Sequence, residues 1–194
     1  MAASVAGLIL AGGAGTRFGG PKAFGLLPDG RSFLAVCADT LASAGVSPVL
    51  ATLPPAAAPK TDRGFEALPL PAPGLPMFES LRIGLGRLLG DTRWDLVVVL
   101  PVDHPLVRVE TVRALAATGA AAAIPVHRGK RGHPVMLVRA VAQQIVAGAL
   151  PGPTLREVLH AVDTVDVAVD DPGVIANCNT PEALAAALAR GGSS

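Results

Sequence analysis

The sequence predicts a three-layer α/β/α fold with a mostly parallel sheet covered by helices on both faces. Three observations carry that prediction. Short continuous apolar runs suit strands buried on both faces, and residues 95–100, with their Leu-Val-Val-Val-Leu, form the purest of them. These runs alternate with segments whose apolar residues recur at helical spacing, the order expected of a parallel sheet with crossover helices. A chain of 194 residues, 51% of them hydrophobic, can bury a sizeable core and falls within the size of one domain, so a single domain over 1–190 with a frayed tail at 191–194 is expected.

In chain order, 5–10 reads as the first strand, stopped by Gly12 and Gly13. Residues 32–44 carry Phe33, Leu34, Val36, Cys37 and Leu41 at helical spacing, and Gly45 ends the helix. A strand over 48–53, a helix over 77–89, a strand over 95–100 and a helix over 109–118 follow. Residues 120–126 form a further strand, 138–147 and 154–160 helices, 165–169 a strand and 181–189 a closing helix. Residues 54–76 hold seven prolines, which forbid a central strand or a continuous helix, and read as a long surface loop.

Composition excludes several functions. With 16 Lys+Arg against 15 Asp+Glu the chain has no basic field to hold nucleic acid, and 3% aromatics with no Tyr give no base-stacking platform. The apolar start at 5–11 lacks a basic n-region and no run reaches the length of a membrane span, so neither a signal peptide nor membrane insertion is expected. Two cysteines, Cys37 and Cys178, without metal-type spacing suggest neither a disulfide framework nor a zinc site, and a cytoplasmic location follows.

In an open parallel sheet ligands bind beyond the carboxyl ends of the strands, which directs attention to 12–22, 101–105 and 177–180. The first of these belongs to Leu10-Ala-Gly-Gly-Ala-Gly-Thr-Arg-Phe-Gly-Gly-Pro-Lys22. Glycines 12, 13 and 15 let backbone N–H groups approach an anion, and Arg17 and Lys22 supply positive charge for phosphates. A dinucleotide fingerprint would need Gly or Ala at Phe18, and a P-loop would need Gly-Lys-Ser/Thr where Gly20-Pro21-Lys22-Ala23 stands. In Leu100-Pro-Val-Asp-His-Pro105, Asp103 projects from a strand end where a carboxylate can hold Mg²⁺ against a triphosphate, whereas an Asx-turn before Pro105 is the structural alternative. His104 reads as a bystander. Thr180-Pro181 is a good helix start.

These segments together resemble the molybdenum-cofactor nucleotidyltransferases of the NTP-transferase superfamily. Leu10, Ala11, Gly12, Gly13, Arg17, Gly19 and Lys22 match the loop L-A-G-G-x-x-x-R-x-G-x-x-K, and Asp103 matches the metal-ligand Asp of the Asp-x-Pro element. Asn177-Cys-Asn-Thr-Pro-Glu182 resembles an Asn/Asp-x-Asn/Asp-Thr-Pro-Glu element, which makes Asn179 a second metal-side residue through its neutral carbonyl. Gly132-His-Pro134 resembles the acceptor-facing loop of the cytidylyltransferase branch, so His133 is implied to touch an acceptor phosphate, with Arg128, Lys130 and Arg131 adding charge. Ser80-Leu-Arg-Ile-Gly-Leu85 resembles a helix near the nucleotide, in which Ser80 and Arg82 carry functional weight while Phe78, Leu81, Leu85 and Leu88 face the core.

The resemblance implies a Rossmann-like, nucleotide-diphospho-sugar transferase-like fold and Mg²⁺-dependent transfer of a nucleotide from CTP or GTP to molybdopterin or molybdenum cofactor. Arg17, Lys22 and Asp103 are the implied catalytic residues; Leu10, Ala11, Gly12, Gly13, Gly15, Thr16, Ser80 and Arg82 line the nucleotide. A molybdoenzyme or its chaperone is the implied protein partner. The first loop and Asn177–Asn179 look like the guanylyltransferase branch and the Gly-His-Pro and Ser-Leu-Arg elements like the cytidylyltransferase branch, so the base stays open. A sugar-phosphate or alcohol-phosphate nucleotidyltransferase, or a non-catalytic nucleotide-binding maturation partner, remain the other readings.

Overall fold

The computed structural model describes residues 3–13, 22–55, 64–91 and 93–191. Along the chain run β1 (Val5–Leu10), α1 (Phe33–Ser43), β2 (Val49–Leu53), β3 (Glu66–Pro69), α2 (Met77–Asp91), β4 (Leu96–Pro101) and α3 (Val109–Ala116). They are followed by β5 (Ala122–His127), β6 (Lys130–Arg131), β7 (Val135–Val138), α4 (Arg139–Ala147), α5 (Leu155–Ala161), β8 (Thr164–Ala168) and α6 (Pro181–Gly191). The strands form one sheet in the order β3-β2-β1-β4-β7-β5-β6, with β8 on β5. β3, β2, β1 and β4 are mutually parallel, as are β5 and β8, while β7 runs antiparallel to both β4 and β5.

The expected three layers are present, and the side chains of the central strands show why. Leu96, Val98 and Leu100 of β4 pack, with Ile9 of β1, against Phe33, Leu34 and Leu41 of α1, Val112 and Leu115 of α3 and Leu184 of α6. Val97 and Val99, with Ala6, Leu8 and Leu10 of β1, pack on the other face against Leu81, Leu85 and Leu88 of α2, Val141 and Ile145 of α4 and Val158 of α5. Each of these buried branched side chains contributes roughly 1.5–3 kcal/mol relative to exposure, which is why the alternation expected of a one-faced strand is missing. Gly84 lets α2 settle onto β1, because a Cβ there would stand 2.6 Å from Cδ1 of Leu8.

One expectation needs correction, and several elements were not foreseen. Residues 54–76 are not all loop: β3 pairs with β2 at the sheet edge, where its outer side needs no partner and the terminal Pro69 is tolerated. After β5, the chain forms a hairpin with β6 through Arg128 and Gly129, both at positive φ (50° and 76°), as a two-residue primed turn requires. Residues 135–138 then form β7 directly ahead of α4. A short 3-10 turn over Pro172–Ile175 and the extension of α6 to Gly191 were also not anticipated. Among the described residues no helix is long and apolar enough to cross a membrane. Cys37 and Cys178 are buried and form no disulfide, and burial raises the Cys37 thiol well above its ordinary pKa, which suits packing and not nucleophilic chemistry.

Candidate functional site

β1 and β4 are adjacent and parallel, so their carboxyl ends open onto the same crevice. The chain leaves β1 still tied to its neighbours: the Ala11 N–H donates to the Thr52 carbonyl at 3.1 Å, and the Val102 N–H donates to the Leu10 carbonyl at 3.1 Å. Gly12 turns away here because Leu70 leaves no room for a side chain, a Cβ at Gly12 falling 2.2 Å from Cδ1 of Leu70. Gly13 has open space where its Cβ would be. A cavity of about 130 Å³ lies over this point, lined by Leu10, Ala11, Gly12 and Gly13 from the β1 end, Ser80 from α2, and Pro101, Val102 and Asp103 from the β4 end. Residues from three separate sequence segments thus share one cavity.

Asp103 sits two residues beyond β4 with its side chain 17% exposed, and its Oδ1 is 4.0 Å from Nε2 of the more deeply buried His104. The Asp103 carbonyl accepts a 2.7 Å hydrogen bond from the Cys178 N–H, which lays the Asn177–Asn179 segment alongside the Asp103 loop although 75 residues separate them in the chain. Thr180 caps α6, its hydroxyl accepting from the Ala183 N–H at 3.2 Å, so the cap and Asn179 occupy separate positions. Asp103 and Asn179 offer hard oxygen donors, and among the described residues no group of three or more His, Cys, Asp or Glu gathers into a metal cage. That donor set fits a hard divalent cation shared with the phosphates of a nucleotide, which takes only one or two protein ligands.

His133 arrives from the opposite direction. Because β7 is antiparallel, its first residue Val135 pairs with Val99 near the carboxyl end of β4, and the Gly-His-Pro segment ahead of it is delivered to the crevice. The His133 N–H donates to the Val174 carbonyl at 2.8 Å, and the rings of His133 and His104 lie 4.7 Å apart at 60°. Gly132 permits this approach, since a Cβ there would meet the Val174 carbonyl oxygen at 2.2 Å. The carbonyl segment itself is pinned by Asp171, 2% exposed, whose carboxylate accepts from the Arg108 N–H (2.8 Å), the Thr111 hydroxyl (2.7 Å) and the Gly173 N–H (2.9 Å).

Burial, reinforced by His104 and opposed by Asp103, pushes the His133 pKa down to about 4. His133 is therefore neutral near pH 7, so the contact implied for it with an acceptor phosphate would be a hydrogen bond and not an ion pair. The depressed value has a consequence for stability. Between pH 4 and pH 6.5 the unfolded chain binds a proton at this position and the folded chain does not, so stability rises with pH across that window, by up to about 3 kcal/mol from this group. Thermal unfolding from pH 4 to pH 7 is expected to show a rising Tm in the wild type and a shallower rise in His133→Gln.

The remaining expected residues divide. Gly15, Thr16 and Arg17 lie outside the described residues; Lys22 opens a 3-10 turn over Lys22–Phe24. Arg82 is not brought to the cavity: its guanidinium pairs with Glu79 at 3.2 Å and donates to the Val146 carbonyl of α4 at 3.4 Å. Two steps of 100° along α2 carry it to the far side from Ser80. Asp171 and Gly173 were missed by sequence reasoning, because Asp171 binds Arg108 and Thr111 and Gly173 packs against the Leu106 carbonyl, all 60 or more residues away.

The profile of the MobA-like NTP transferase domain matches residues 7–167. No curated protein sequence matches the chain. Among solved structures, Rv0371c from Mycobacterium tuberculosis H37Rv is 23% identical with a TM-score of 0.77, covering 97% of this chain and 100% of that one. An Rv0371C structure from the same organism, described as a complex with manganese, has a TM-score of 0.74 at 22% identity, covering 96% and 98%. The 2-C-methyl-D-erythritol 4-phosphate cytidylyltransferase of Thermus thermophilus is 22% identical with a TM-score of 0.70, covering 98% of each chain. At these identities the structural likeness establishes the fold.

Proposed function

The chain belongs to the MobA-like NTP transferase family and is a nucleotidyltransferase, and from that premise we propose that it transfers a nucleoside monophosphate from CTP or GTP to a phosphorylated acceptor of the molybdopterin type. The observation that carries this reading is the 130 Å³ cavity in which Leu10–Gly13, Ser80 and Asp103 meet. Its backbone wall suits the flat face and ribose of a nucleotide, and the triphosphate then runs toward the glycine-rich loop, where Arg17 and Lys22 balance its charge.

In the proposed reaction an acceptor phosphate oxygen forms a bond to the α-phosphorus as the bond from that phosphorus to the α,β-bridging oxygen breaks. The electron pair leaves with pyrophosphate. A phosphate monoester is mostly dianionic near neutral pH, so no protein base is needed to free the attacking oxygen. The work of the chain is to align the two phosphates and to offset their repulsion. A divalent cation, Mg²⁺ in this reading, supplies charge neutralisation when bound by Asp103 and Asn179. A manganese-bound relative of the same fold supports the choice of a hard divalent ion.

The test is pyrophosphate release with Mg²⁺, each of CTP, GTP, UTP and ATP, and molybdopterin or molybdenum cofactor as acceptor. Release with one of CTP or GTP names the base and upholds the reading. Nucleotide binding without release under any combination overturns it in favour of a non-catalytic partner.

A further inference from the structure

We propose that a second cavity beside the nucleotide site holds an uncharged, ring-sized apolar group of the phosphorylated acceptor, a reading that rests on the nucleotidyl transfer proposed above and selects an acceptor whose body is less polar than the pterin of molybdopterin. This cavity, of about 200 Å³, is walled by Leu10, Phe78, Leu81, Pro101, His133 and Leu155 among others. It shares Leu10, Met77 and Pro101 with the nucleotide cavity, so the two are neighbours across the end of β1 and β4. A ligand whose phosphate lies beside Asp103 can extend its body here without crossing protein.

The chemistry of the wall defines that body. No described lining residue is a carboxylate, Lys or Arg, and two carry polar side chains, Thr154 and His133. The Thr154 hydroxyl is committed to α5, donating to Glu157 Oε2 at 2.6 Å and accepting from the Glu157 N–H at 3.3 Å. His133 contributes a largely buried imidazole, and its Nδ1 has no hydrogen-bond partner among the described residues. A charged or polyhydroxylated group placed here would lose its water and gain almost no partners, so each of its polar atoms would be stranded at a cost. An apolar group gains instead, because its burial removes hydrocarbon surface from water. As to size, an apolar cavity of about 150 Å³ accepts a benzene ring. The geometry therefore selects a ring or a branched alkyl of similar bulk.

The experiment compares wild-type rates of pyrophosphate release, with Mg²⁺ and CTP or GTP, for three acceptors: methyl phosphate, glycerol 3-phosphate and benzyl phosphate. kcat/KM is expected to be at least about tenfold higher for benzyl phosphate than for the other two, from the area a ring buries. Leu155→Trp, which fills the cavity, should bring the benzyl-to-methyl ratio toward one. Equal or better use of glycerol 3-phosphate overturns this proposal and leaves the transferase reading standing. If none of the three releases pyrophosphate, the transferase reading is decided by the molybdopterin test above, and binding decides the cavity. Met77 lines it, is 60% exposed and is one of three methionines, so its ¹³C-methyl resonance is a direct probe, with the buried Met136 as internal control. A Met77 shift on adding benzyl phosphate, absent in Leu155→Trp, upholds the cavity; no shift in the wild type overturns it.

Discussion

Asp103→Ala is expected to lower kcat/KM for nucleotidyl transfer by about 10³-fold while leaving the folded structure in place. Removing one preorganised electrostatic group from a site of developing charge typically costs roughly 10²–10³ in rate, and here the lost carboxylate is also the proposed anchor of a cation. The fold should tolerate the change because the tie across this loop uses the Asp103 carbonyl, which accepts from the Cys178 N–H and survives the substitution. Asp103→Asn separates shape from charge: the amide retains the size and one oxygen, so an equally severe loss assigns the effect to the missing negative charge. Steady-state rates beside far-ultraviolet circular dichroism and Tm check both halves. A folded Asp103→Ala enzyme with wild-type kcat/KM would falsify the role assigned to this residue.

Asp171→Ala should be the most destabilising single change near the crevice. Its carboxylate is the partner of two backbone N–H groups and a hydroxyl, drawn from α3 and from the 3-10 turn. Truncation strands those donors in a buried place, and each stranded donor costs about 1–3 kcal/mol, less whatever water can reach. A net loss of roughly 3 kcal/mol corresponds to a fall in Tm of roughly 6–12 °C for a chain of this size. Activity should fall as well, because the pinned turn presents the Val174 carbonyl to His133 and leads into the Asn177–Asn179 segment. Differential scanning calorimetry gives the first quantity. A Tm within about 2 °C of wild type would mean that the three hydrogen bonds are replaced in full by solvent, against their burial.

The contrast between these two aspartates explains what the sequence could tell. Asp103 follows a strand whose five apolar residues announce burial on both faces, so its place at a strand end was legible from the local pattern. Asp171 follows an exposed strand of mixed character, and its partners Arg108 and Thr111 are 63 and 60 residues away. Nothing in the neighbouring letters signals them. The same distinction separates the elements. β1 and β4 are continuous apolar runs and the helices carry clear periodicities, whereas β7 is four residues long and abuts α4 without an intervening turn signal, so Val138 was taken into the helix and 135–137 were left unassigned. β3 was hidden by prolines that an edge position tolerates. Within the site, Leu10–Gly13 and Asp103 were singled out by their places at strand ends and Ser80 by the family resemblance, and these residues line one cavity. Arg82 shows the limit of that reasoning: a motif gives residue order, but the angle around the helix decides what each residue faces.

The reversed strand β7 leaves the sheet with a seam. On one side of it lie β3, β2, β1 and β4, all running one way; on the other lie β5 and β8. The nucleotide cavity is lined from the first group and α2, and the His133 wall comes from the chain that crosses the seam. Under the proposed function the two substrates share the ends of β1 and β4 and the start of α2, while His133 and the turn at 153–155 wall the acceptor cavity alone. Altering the hairpin ahead of β7, or the turn that leads into α5, retunes acceptor choice without disturbing the register of β1 against β4. A fold arranged this way can keep the floor common to both substrates and trade the second substrate by changing only the added walls.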